Sequence, residues 1–239
     1  MKMNQRLAVV LSCCLIAWGL VNLMAPRLQH YHLKAHATST QQSNDNPRNF
    51  PINWDELRQI NDNVSAWLRV EGSSIDTAVV KVKRSNPDFY LSHDFWNAHS
   101  IYGCPFLAQD SSADNGIQIV YGHHITGSKE AFSDIFDAWR AERFFQLGSC
   151  HWVTPKSGEL ELLPLCSFVT NCWDEEVQTS SYPSLEEFRG ALRKLAQRSE
   201  TRPSHWDLLC NNAERAVILI TCSSLIPGQD ERCCTVFVR

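Results

Sequence analysis

The run AVILITC, Ala216 to Cys222, constrains this chain more than any other stretch. Ala216 to Ile220 are apolar without a break, and Thr221 and Cys222 follow. A short Val- and Ile-rich run bounded by polar residues reads as a strand buried on both faces. Beyond Cys222, Ser, Pro, Gly, Gln and Asp mark a loop. Arg232 closes that loop and opens a last short strand, Cys234 to Val238. A thiol and a guanidinium therefore stand on the facing ends of two strands that can pair. A thiol is a good nucleophile only as thiolate, and a nearby cation favours that form. The competing reading is an inert buried cysteine, a common core residue.

A second stretch supplies a partner for the thiol. Gly116 to His123 reads GIQIVYGH. Ile117, Ile119 and Tyr121 alternate with Gln118 and Val120, the pattern of a half-buried strand. Gly122 ends it and His123 stands just beyond. A candidate cysteine with a histidine elsewhere in the chain is the pattern of a thiol nucleophile and its acid/base partner.

The remaining segments read mainly as short strands. They fall near residues 66–70, 77–82, 105–108, 151–154 and 160–169. Asn53 can cap a short helix with Trp54, Leu57 and Val64 on one side and Asp55 and Glu56 in its first turn. Residues 130–147 hold two short helical patterns. The clearest helix starts at Ser184, which forms a capping box with Glu187, and Leu185, Phe188, Leu192 and Leu195 make its apolar face. Many short strands with few helices imply a mainly β fold, a β-barrel.

These blocks resemble the class B sortases, the exported cysteine transpeptidases of Gram-positive bacteria. LITC (Leu219 to Cys222) is similar to the family's TLxTC signature, with Arg232 ten residues after the cysteine. IVYGHH is similar to its IYGH strand end. INWDELRQINDNVSAWLRVEGSSIDTAVVK, DFYLSHDFW (Asp88 to Trp96) and the stretch Gly103 to Leu107 match the family in order and spacing. Ile220 departs from it where a small polar residue is common, and Ser223 and Ser224 replace acidic residues that some members carry. The resemblance covers residues 50–239 and implies an eight-stranded sortase β-barrel with an N-terminal helix and an extra helix before the catalytic strand. It implies Cys222 as nucleophile and His123, directly after Tyr-Gly, as general acid in preference to His124. Arg232 becomes the donor to the oxyanion. Thr221 either shapes the oxyanion site or is an ordinary β-branched strand residue. Leu91, from the resemblance, and Tyr182, beside the helix from Ser184, are candidates for the substrate groove, with core packing the alternative for Leu91.

The implied activity is cleavage of an LPxTG-like motif near the carboxyl end of secreted proteins. A thioacyl intermediate then passes to an amine on peptidoglycan or a pilin. No cofactor or metal is expected, since the cysteine spacing is not that of a zinc site. A thiol endopeptidase or hydrolase with the same residues, and a catalytically silent disulfide-bonded surface module, are the rival readings. With a net charge of −4, nothing suggests a nucleic-acid partner or a basic membrane-binding face, and none is expected.

Compartment is read from the amino terminus. Lys2 and Arg6 precede Leu7 to Ala25, nineteen residues without a charge. As a helix this run reaches ~28 Å, close to the ~30 Å hydrocarbon core. The expectation is a transmembrane anchor over 1–25, a flexible polar stalk over 26–49 and a catalytic domain over 50–239. The positive-inside rule puts the amino terminus in the cytoplasm and the catalytic domain outside a single-pass membrane protein. Cleavage after Ala37 is the alternative. Eight of the ten cysteines, Cys104 onward, lie beyond the apolar run, and an exported domain can form disulfides.

Overall fold

A computed structural model describes residues 28–38, 52–114, 116–223 and 229–239. Residues 28–38 are helical (α1). Helix α2 (Trp54–Ile60) leads into β1 (Val64–Val70) and β2 (Asp76–Lys81), then β3 (Phe106–Leu107) and β4 (Ile117–Tyr121). Helix α3 (Ala141–Phe144) precedes β5 (Cys150–Thr154) and β6 (Gly158–Asn171). Three helices follow, α4 (Glu175–Gln178), α5 (Leu185–Arg198) and α6 (Trp206–Asn212), and then β7 (Ala216–Cys222) and β8 (Glu231–Val238).

The strands close a barrel in the order β1-β2-β3-β4-β7-β8-β6-β5. The mainly β, eight-stranded barrel expected from the sequence is the fold. Two neighbouring pairs, β2–β3 and β4–β7, are parallel. Closure leaves no open edge among these strands. Alternation along β7 explains its unbroken apolar run. Val217 and Leu219 face the barrel interior with Leu68, Val120, Trp152 and Phe237. Ala216, Ile218 and Ile220 face outward beneath α5 and α6, against Phe188, Leu192, Leu195 and Cys210. Both faces are therefore covered, as the run requires.

The caps form as the sequence indicates. Asn53 accepts from the Glu56 N–H at 3.2 Å, and Ser184 accepts from the Glu187 N–H at 3.2 Å. The short helix α6 carries no side-chain cap, and its WDLLCNN sequence gives no start signal.

Part of the stretch expected as a flexible stalk is ordered helix. In α1, Leu33 and Ala37 are buried with Leu57, Trp67 and Val80. Lys34 pairs with Asp76 at 2.6 Å, and Gln29 donates to Asp94 at 2.7 Å. Apolar residues four apart in a polar run were enough to dock one helical face on the barrel. The other residues of 26–49 lie outside the described ones.

The single-pass membrane localisation is corrected. Among the described residues no helix is long and apolar enough to cross a membrane. Helix α5, at fourteen residues, reaches only ~21 Å against a ~30 Å hydrocarbon core. Leu7 to Ala25, the run behind that expectation, lies outside the described residues.

Leu192 is fully buried between α5 and the barrel. Leu192→Ala is expected to cost ~2–5 kcal/mol of unfolding free energy, whereas Ser184→Ala at the cap should cost about 0.5–2 kcal/mol. Urea unfolding of the two variants checks that order. Equal losses would mean that α5 contributes little beyond its own helical stability.

Candidate active site

Three strand ends meet at one rim of the barrel. The antiparallel register of β7 and β8 ends on the pair Cys222↔Arg232. Directly opposed residues share a face, with Cβ atoms about 4.5–5.5 Å apart. On the other edge of β7, the parallel register of β4 ends on Tyr121↔Ile220. The Gly122 N–H then donates to the Ile220 carbonyl at 3.1 Å. His123 leaves the barrel one residue later, at the rim where Cys222 ends β7. His123, Cys222 and Arg232 together line one cleft of about 440 Å³, with Leu91, Tyr121 and Cys172 on its other walls.

His123 is held by backbone. Its Nε2 lies 2.7 Å from the Leu91 carbonyl. A carbonyl only accepts, so Nε2 carries a proton in this arrangement and Nδ1 is the nitrogen left to gain or lose one. Close approach of the neighbouring loop is possible because residue 103 is glycine. Gly103 has φ +61°, and a Cβ there would meet the Tyr90 carbonyl at 2.4 Å and the His123 ring at 3.0 Å. Arg232 is likewise braced. Its Nη1 donates to the carbonyls of Gln229 at 2.8 Å and Glu231 at 2.9 Å. A guanidinium has five N–H donors, so Nε and Nη2 keep theirs.

The structure brings together Cys222, His123, Arg232 and Leu91. Leu91 enters through its carbonyl as well as through a side chain that is 40% exposed. Thr221 lines the cleft, but its side chain alternates away from it. Its cross-strand partner Cys233 belongs to the barrel interior, and its buried hydroxyl has no hydrogen-bond partner. Tyr182 is not brought to the cleft. Its ring rests 6.2 Å from that of Phe188, half-buried against α5. His124 points elsewhere and stacks on Phe136 at 4.1 Å. Sequence reasoning missed Gly103 and Cys172. Nothing local marked Cys172: it follows the last residue of β6, and it comes near Arg232 only once Thr170 opposes Arg232 across β6 and β8.

Burial sorts the thiols. All eight described cysteines are free, and six of them are buried, leaving only Cys172 and Cys222 partly exposed. Burial pushes the Cys210 thiol up to about 11 and Cys233 up to about 11, while Cys104, Cys150, Cys166 and Cys234 are pushed up well above the usual thiol range. Buried thiols in apolar surroundings are inert. Among the described residues no group of three or more His, Cys, Asp or Glu side chains could hold a metal ion.

A thiol-directed reagent applied to the native protein should therefore mark Cys222 and Cys172 among the cysteines from 104 onward. In Cys222→Ala it should mark Cys172 alone of these. Peptide mapping by mass spectrometry reads the result, and labelling of Cys166 or Cys234 without denaturant would contradict this burial.

Comparison with known proteins agrees with the fold. No protein-family model matches the chain. Sortase B of Staphylococcus aureus (strain NCTC 8325 / PS 47) is 23% identical over 171 residues, 71% of this chain and 67% of that protein. The structure of Clostridium perfringens sortase B matches with a TM-score of 0.66 at 22% identity, over 77% of this chain and 97% of that one. Sortase B from B. anthracis matches with a TM-score of 0.70 at 15% identity, over 90% of this chain and 98% of that one. The chain therefore has the class B sortase fold, on a sequence similar to Sortase B along most of its length.

Proposed function

We propose that this protein is a cysteine transpeptidase of the sortase type, with Cys222, His123 and Arg232 as its catalytic residues. One observation carries the reading: a partly exposed thiol, a guanidinium directly across the strand pair and a backbone-held imidazole line one cleft. The substrate is a secreted protein with an LPxTG-like sorting motif near its carboxyl end. Likeness to Sortase B supports that substrate class.

The Cys222 thiolate attacks the carbonyl carbon of the motif's threonine, and the carbonyl π pair moves to oxygen as an oxyanion. Nε and Nη2 of Arg232 donate to that oxyanion or to the adjacent motif backbone. As the tetrahedral species collapses, the C–N bond breaks. Nδ1–H of charged His123 gives its proton to the departing amine. The chain is left with a thioacyl bond at Cys222. An amine on peptidoglycan or on a pilin then attacks the thioester, loses a proton to His123, and the thiolate leaves. Exclusion of water from the thioester decides between transfer and hydrolysis, so an added amine is the discriminating reagent.

Cys222→Ala should abolish cleavage of a motif-bearing peptide while leaving the unfolding transition in place. With the native protein, adding a primary amine such as a short oligoglycine should convert hydrolysed product into amide product. Product that stays hydrolysed at saturating amine would make the protein a thiol endopeptidase.

Arg232→Lys should not be conservative. Lys is a point charge with one nitrogen, which cannot hold the loop carbonyls of Gln229 and Glu231 and also reach the oxyanion. Loss of one oxyanion donor typically lowers turnover by ~10²–10³, and the Lys variant should fall in that range beside Arg232→Ala. Near-normal turnover in the Lys variant would restrict Arg232 to a charge effect on the thiolate.

A further inference from the structure

Cys172 is the second partly exposed thiol, and it shares the cleft with Cys222. It lies just past the end of β6, so it fills no core. Every polar group it has is bonded. Its N–H donates to the Asp230 carbonyl at 2.8 Å, and its carbonyl accepts from Gln178 Nε2 at 2.6 Å. Its Sγ lies 3.6 Å from Asp230 Oδ1, within the longer reach of sulfur. A carboxylate only accepts, so the thiol is the donor.

Asp230 is the residue between the two carbonyls that brace Arg232. Gln229 precedes it and Glu231 follows it, and both accept from Arg232 Nη1. The side chain of Cys172 therefore ties down the one residue whose flanking carbonyls orient the guanidinium. The turn that carries Cys172 is anchored in its own right. Thr170, opposite Arg232 in the register, donates to Asp174 at 2.5 Å, and Asp174 pairs with Arg198 of α5 at 2.6 Å.

We propose that Cys172 is a positioning residue for Arg232: its thiol, bonded to Asp230, holds the base of the β7–β8 loop so that the guanidinium faces the cleft. The kinetic consequence rests on the transpeptidase reading above; the structural one does not. A thiol is a weak donor, and a single hydrogen bond contributes modestly, which corresponds to a change of about 2- to 10-fold.

The test compares native protein, Cys172→Ala, Cys172→Ser, Arg232→Ala and the Cys172→Ala/Arg232→Ala double variant. Turnover of a motif-bearing peptide and amide hydrogen exchange over residues 229–232 are measured in each. In Cys172→Ala, kcat should fall about 2- to 10-fold with little change in KM, and exchange over 229–232 should quicken. Cys172→Ser, whose hydroxyl can donate to the same carboxylate, should restore both. In the Arg232→Ala background, Cys172→Ala should cost no further turnover, because the group it positions is gone. An unchanged kcat in Cys172→Ala, or the same fractional loss with and without Arg232, would overturn the proposal. So would unchanged exchange over 229–232. If the native protein cleaves no motif peptide, the functional reading fails, and the exchange data alone decide whether Cys172 holds the loop.

Discussion

The cleft lined by Cys222, His123 and Arg232 depends on how β7 is held. This strand is paired on one edge with β4 in parallel and on the other with β8 in antiparallel, and it is covered on both faces. The two ladders fix which residues stand level at the rim. A slip of one residue in either would turn the rim side chains to the opposite face. Cys222 would then face the barrel interior, where Thr221 now points. Burial of Val217 and Leu219 inside the barrel and of Ile218 and Ile220 under α5 and α6 penalises that slip on both sides at once. Strand register thus sets where Cys222 and Arg232 stand, and backbone carbonyls of the neighbouring loops then hold the side chains of His123 and Arg232.

The same physics explains what the sequence made legible. Cys222 and Arg232 were visible because an unbroken apolar run ends on one and a new strand opens on the other. His123 was visible because Gly122 stops an alternating strand. Helix α5 announced itself through the Ser184–Glu187 cap and its apolar stripe. What escaped depends on contacts between segments distant in sequence. Nothing local tells that β4 and β7 run parallel, because that pairing requires the whole crossover through β5, β6 and the helices. Leu91 lies 32 positions from His123, and nothing local tells that its carbonyl, and not only its side chain, meets that ring. Tyr182 stood beside α5 in sequence, and the chain turns it into the packing under that helix instead. The polar stretch before α2 hid a docked helix because Leu33 and Ala37 are too few to mark an amphipathic pattern until Leu57 and Trp67 lie against them.

A chain with this many cysteines needs a physical reason for one to act alone, and burial supplies most of it. Cys166, Cys210 and Cys234 are part of the outer apolar layer under α5 and α6, and Cys150 and Cys233 part of the barrel interior. They behave as small hydrophobes. The pair Cys233–Cys234 illustrates the rule, since neighbours in a strand point to opposite faces, and these two sit in different clusters. The two thiols left in the cleft differ in what they touch. Cys172 is bonded to the Asp230 carboxylate, whereas Cys222 stands opposite the Arg232 guanidinium.

Arg232 connects these observations, because its guanidinium works at two places at once. Its Nη1 is committed to carbonyls of its own loop, and Nε and Nη2 keep their donors on a residue that lines the cleft. The planar fork makes this possible: bonds on one edge set the direction of the other, so bracing and donation are not in competition. A loop base that shifts would carry the guanidinium with it, and small displacements of a catalytic group are costly. The order of residues 229–231 and the aim of the guanidinium are then one property of the molecule. That property is anchored on one side by the Cys222↔Arg232 register and on the other by the turn after β6. The cleft's wall is in this sense continuous with the barrel, and the residue that closes the β7–β8 loop is also the one that completes the site.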